Sequence, residues 1–143
     1  MDLYFAACQG LGLALAAGVF SGASAQRGPL GVLLLIAAMI GGGALFGWSL
    51  DQEDHPAWPG FVAGAAAAAF AYLVVRSFAE GAQARAKEGG YAGAMIAFVA
   101  LVLAGISLLL PPVSMLAFAA LLWLYFARRQ QADRKYEGLR TLR

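Results

Sequence analysis

Apolar positions along this chain gather into four long runs, and charged positions are confined to Asp2, the short stretches between the runs and the last part of the chain. The runs cover residues 3–26, 30–50, 57–75 and 89–127. An uncharged apolar stretch of ~18 or more residues is long enough for one helix to cross a hydrocarbon layer of ~30 Å. The fourth run is nearly twice that length, and Pro111-Pro112 stands at its midpoint. Two consecutive prolines remove two helix donors and disfavour the helical conformation just before them. The run therefore divides into helices over 91–110 and 113–127. The pattern predicts an all-α integral membrane protein with five transmembrane helices, the last two joined by a Pro-Pro turn. Residues 1–127 form the membrane domain and 128–143 a basic cytoplasmic tail.

Orientation follows from the basic residues, because Lys and Arg in short loops stay on the cytoplasmic side. Arg27 lies between the first two helices, and Arg76, Arg85 and Lys87 follow the third. Arg128, Arg129, Arg134, Lys135, Arg140 and Arg143 follow the fifth. The segment Asp51-Gln52-Glu53-Asp54-His55 has none. With the N-terminus outside and the C-terminus in the cytoplasm, every Lys and Arg falls on one side. Trp and Tyr collect at membrane interfaces. The same assignment places Tyr4, Trp48 and Trp58 at the outer surface and Tyr72, Tyr91, Trp123 and Tyr125 at the inner one. A shallow re-entrant hairpin of the last two helices would also leave the tail inside. Composition agrees: 62% of residues are hydrophobic and only 13% charged. A typical soluble domain carries about a quarter charged. The first run has a signal-like apolar core and Ala23-Ser24-Ala25 after it, but Asp2 and no basic residue precede the core, so no cleavage is expected. Cys8 is the only cysteine, which excludes an internal disulfide.

Helices in lipid associate through small residues that let backbones approach closely. Ala6, Gly10, Ala14, Gly18 and Gly22 recur every four positions on the first helix, and Gly60, Gly64 and Ala68 on the third. These stripes predict packing inside the bundle or, in the alternative, a homo-oligomeric face. Gly41-Gly42-Gly43 in the second helix permits a kink or a break of the kind transporters use.

Polar groups at membrane depth are the first candidates for a pathway. They are Gln9, Ser49 and Ser107, joined at the inner end by Tyr72 and by Arg76, whose side chain is expected to snorkel toward lipid phosphates. Asp51, Glu53, Asp54 and His55 carry hard ligands for a divalent cation. They match no defined metal motif, and the competing expectation is a solvated turn that caps the third helix, with Asp54 or His55 near its start. Arg128, Arg129, Arg134 and Lys135 would lie along the anionic leaflet and bind lipid headgroups. Those charges already serve topology, which argues against nucleic acid as a partner. The sequence has no nucleotide loop, nucleophile elbow, paired-His motif or thiol pair. No cofactor and no enzymatic activity are expected.

The ending Lys135-Tyr136-x-Gly138-Leu139-Arg140-x-Leu142-Arg143, preceded by Arg128-Arg129, resembles the C-terminus of small bacterial polytopic proteins of the domain-of-unknown-function family 4126. The opening Gly10-Leu11-Gly12-Leu13-Ala14-Leu15-Ala16-Ala17-Gly18 and Pro111-Pro112-x-Ser114 are similar in style. The resemblance implies a bacterial inner-membrane protein and assigns no functional residue. Three roles stay open. The first is an oligomeric channel or transporter for an ion, small solute or lipid. The second is a structural or accessory subunit bound to a membrane partner. The third is a membrane enzyme using the acidic outer loop.

Overall fold

A computed structural model describes residues 2–24, 28–52, 54–85, 90–110 and 112–140, and the regular elements among them are five α-helices. They are α1 (Asp2–Gly22), α2 (Pro29–Asp51), α3 (Ala57–Arg85), α4 (Gly90–Leu109) and α5 (Val113–Arg140). Three contain stretches long and apolar enough to cross a membrane: Leu3–Gly22, Pro29–Asp51 and Ala57–Gly81. The apolar helical stretches Ala94–Ile106 and Val113–Ala127 are shorter.

Local chemistry sets the helix ends. Pro29 opens α2, where its missing N–H costs nothing and its ring presets the helical φ. Gly28 precedes it at φ 80°, a conformation that suits a residue without Cβ. Pro59 falls in the first turn of α3, where backbone N–H groups have no intrahelical acceptor to lose. Gly41-Gly42-Gly43 does not break α2, which runs as one helix to Asp51. The acidic segment corrects a second expectation, since it caps α2 and not α3. Asp54 adopts φ 56° and donates its backbone N–H to the Asp51 carbonyl at 3.2 Å, while the His55 N–H reaches the Leu50 carbonyl at 3.2 Å. This is the paired-bond C-cap of a helix, with an aspartate in the left-handed position that glycine usually fills. Asp54→Gly should therefore raise thermal stability by about 0.5–1 kcal/mol, and Asp54→Val should lower it, in unfolding scans at constant detergent.

The tight core is α1, α2 and α3. A Cβ on Gly42 would meet the Ala68 methyl, the Gly64 carbonyl oxygen at 3.1 Å and the Ala14 Cα at 3.4 Å, so all three helices converge there. The α1 stripe divides its faces: Gly10 abuts Phe46 and Ser49 of α2, while Gly18 and Gly22 abut Ala68, Ala71 and Tyr72 of α3. On α3, Gly60 and Gly64 abut the backbone of α2 at Phe46 and Gly42. Such contacts are close enough that dispersion, not hydrophobic transfer, holds the helices in lipid. The helices alternate in direction, so the start of α1, the end of α2 and the start of α3 share one end of the bundle.

α4 and α5 each lean on α1 and meet one another only narrowly. Ile96, Ala100 and Leu103 of α4 and Phe118 and Leu121 of α5 pack against a cluster built on Ala14, Leu15, Val19, Ala71 and Val75. Phe70 of α3 receives Phe118 and Tyr125 edge-on, with ring centroids 5.9 and 5.8 Å away. α5 passes residue 127 without a break, so the basic segment begins as its direct continuation.

Candidate functional site

The polar candidates occupy opposite ends of the three-helix core. At one end the Ser49 hydroxyl, buried, lies 3.1 Å from the Ala6 carbonyl on α1 and 2.8 Å from the Phe46 carbonyl one turn back. The second contact is the back-bond a helical serine commonly makes. The first joins two helices. At the other end the Tyr72 hydroxyl donates to the Gly31 carbonyl in the first turn of α2, at 2.7 Å. Ser49 and Gly31 are separated by ~27 Å of helix at 1.5 Å per residue. These groups therefore do not meet in one site.

Tyr72 is 1% exposed, so at that end of the bundle its side chain is covered by neighbouring helices. Its hydroxyl ties α3 to the start of α2, while its backbone carbonyl closes on the end of α1, where a Cβ on Gly22 would lie 2.9 Å from it. The expected belt residues Tyr4, Trp48, Trp58, Tyr91, Trp123 and Tyr125 are exposed. One turn beyond Tyr72, the Arg76 Nε pairs with the Glu80 carboxylate at 3.0 Å, both side chains about 30% exposed. The arginine thus has an anionic partner on its own helix. Glu80 was not singled out in the sequence, although its i,i+4 spacing from Arg76 is the available signal. Ser77 similarly bonds back to the Val74 carbonyl at 2.7 Å.

Gln9 is half-buried on α1 and has no side-chain hydrogen bond to a described residue. Asp51, Asp54 and His55 are exposed, and Glu53 lies outside the described residues. Among the described residues no three His, Cys, Asp or Glu side chains gather closely enough to hold a metal ion. The side chains of Ser107, Arg128, Arg134 and Lys135 also lie outside the description; Arg129 is exposed. Cys8 is fully buried.

What sequence reasoning missed are the acceptors. Ser49 and Tyr72 both bond to backbone carbonyls, at Ala6 and Gly31, which no side-chain pattern marks. The chain matches no family model, no curated protein and no solved structure.

Proposed function

We propose that this chain is a structural or accessory subunit of a bacterial inner-membrane assembly and does not itself form a pathway. The observation that carries the reading is the use made of its core. Glycine stripes that would smooth a pathway wall or a partner face instead bring α1, α2 and α3 into backbone contact. The hydroxyls of Ser49 and Tyr72, which would line a pathway, are bonded to helix carbonyls. Interhelical bonds of that kind act as glue in lipid. The large apolar side chains instead point outward, as on α2 at Val32, Leu33, Ile36 and Ile40 and on α4 at Met95, Phe98 and Leu101. In vesicles, the purified protein should leave trapped potassium and proton gradients as long-lived as in protein-free controls. A protein-dependent leak that changes with Ser49→Ala or Tyr72→Phe would sink the accessory reading in favour of transport.

The proposal includes five crossings with the N-terminus outside and the C-terminus in the cytoplasm. One-sided Lys and Arg support it, as do exposed Tyr4, Trp48 and Trp58 at the shared end of α1, α2 and α3. Resemblance of the tail to family 4126 supports the bacterial setting. Single cysteines at Gln52 and Gln131, with Cys8 replaced, should differ in intact cells: an impermeant thiol reagent labels the first and spares the second. Equal labelling would end the five-span arrangement.

A further inference from the structure

Three features that the packing of the bundle does not use fall on one face. The Gln9 amide has no described hydrogen-bond partner within the apolar span Leu3–Gly22. A Cβ added to Gly41 on α2 or to Gly105 on α4 would meet nothing within 4 Å, although neighbouring Gly42 and Gly43 are tightly packed. α2 and α4 flank α1 and do not touch each other. Between them, toward the Gly22 end of α1, lies an open hollow of about 370 Å³ whose lining includes Phe20, Ser24, Leu34, Ala94 and Ala97. Helical geometry puts the three features on the same side of their helices as this hollow, about 10–17 Å along the helices from it. At ~100° per residue, Gln9 lies within ~20° of Phe20 around α1, Gly41 within ~20° of Leu34 around α2, and Gly105 within ~20° of Ala94 around α4. The floor of the face thus carries an amide, and each wall carries a glycine that keeps it low.

Lipid tails offer an amide neither donor nor acceptor, and a polar group in hydrocarbon without a partner is disfavoured. A carboxamide holds both functions at once, an acceptor oxygen and two donor hydrogens. Two glutamines related by a twofold axis therefore form a reciprocal pair, each donating one N–H to the other's carbonyl oxygen. We propose that a second copy of this chain, in the same membrane orientation, packs on the α2–α1–α4 face, with Gln9 hydrogen-bonded to Gln9 of the partner subunit across a twofold axis. The contact is isologous, so it closes as a dimer. The glycines at 41 and 105 let the two faces approach, and the amide pair sets their register as a single polar residue does in a helical interface. This inference goes beyond the accessory role and holds with or without a further membrane partner. It also moves self-association to the face of α1 opposite the Gly10–Gly22 stripe.

The test uses the full chain in native membranes with Cys8→Ala as background. Leu13→Cys, one turn from Gln9 on the same face, should cross-link into a dimer under mild oxidation. Val62→Cys, on the 62%-exposed outer side of α3, should not. Gln9→Leu should weaken dimerisation about tenfold, as loss of paired interhelical hydrogen bonds in lipid implies, and Gln9→Asn should restore part of it. The melting temperature of Gln9→Leu in detergent reports whether the bundle itself survives. A monomer in membranes, equal cross-linking at positions 13 and 62, or a dimer indifferent to Gln9→Leu in the intact bundle overturns the proposal. Cross-linking of Leu13→Cys to a different protein overturns it as well, because the face then belongs to that partner.

Discussion

Gly18→Leu is expected to leave little or no folded protein in the membrane. A Cβ at position 18 collides with the Ala68 carbonyl oxygen and comes within 2.8 Å of the Ala71 methyl. The obstacle is α3 backbone, which cannot rotate away as a side chain does. Overpacking a well-filled site costs about 1–3 kcal/mol when side chains can adjust, and more when backbone must move. A loss of at least ~3 kcal/mol is thus expected, with α1 pushed away from α3. Gly105→Leu is the control: the same enlargement on α4 meets open space and should leave the monomer's unfolding free energy within about 0.5 kcal/mol of the parent. Measurement in detergent, where any dimer is dissociated, separates folding from association. A Gly18→Leu protein that stays folded and monomeric would show that α1 does not rest on α3 through this stripe.

Tyr72 separates hydrogen bonding from packing. Tyr72→Phe keeps the ring and removes the bond to the Gly31 carbonyl, and should cost about 1–2 kcal/mol. Tyr72→Ala also empties the buried space that the ring fills on its way to the start of α2. Truncating a fully buried aromatic costs about 3–5 kcal/mol. The order parent, Phe, Ala in unfolding midpoints is the expected outcome. If Phe and Ala variants are equally unstable, the hydroxyl alone carries the contact; if Phe matches the parent, the bond contributes nothing.

Much of the helix plan was legible because it depends on local chemistry. Pro29, Pro59 and Pro111-Pro112 punctuate the chain wherever they stand, and apolar runs in lipid have few alternatives to helix. The continuation of α3 to Arg85 was not legible from hydropathy. That segment is held by polar spacing, of which the Arg76–Glu80 pair is an example. Contact partners were less legible still. Spacing by four identifies where a second backbone has room to lie close, but not which backbone arrives. On α1 the single stripe serves α2 with Gly10 and Ala14 and α3 with Gly18 and Gly22. In Gly41-Gly42-Gly43, two residues face α3 and the third faces out, a division that depends on helix rotation and leaves no mark in composition. Gln9 was legible as a polar group at depth; that it faces away from the core required seeing where Gly10 and Gly18 point.

The backbone-close contacts of the glycine stripes all come from the stretch between Asp2 and Arg85, with α4 and α5 packed against it. Chains are made from the N-terminus, and segments that fold from local partners need not wait for the rest. The three helices that bury one another most tightly are consecutive, so each finds its partner as soon as the next has entered the membrane. When Arg85 leaves the ribosome, the Ser49 and Tyr72 bonds already have both donor and acceptor present. α4 and α5 then arrive at a surface that exists before them. The tightest contacts of this chain are thus the ones whose two sides are made first.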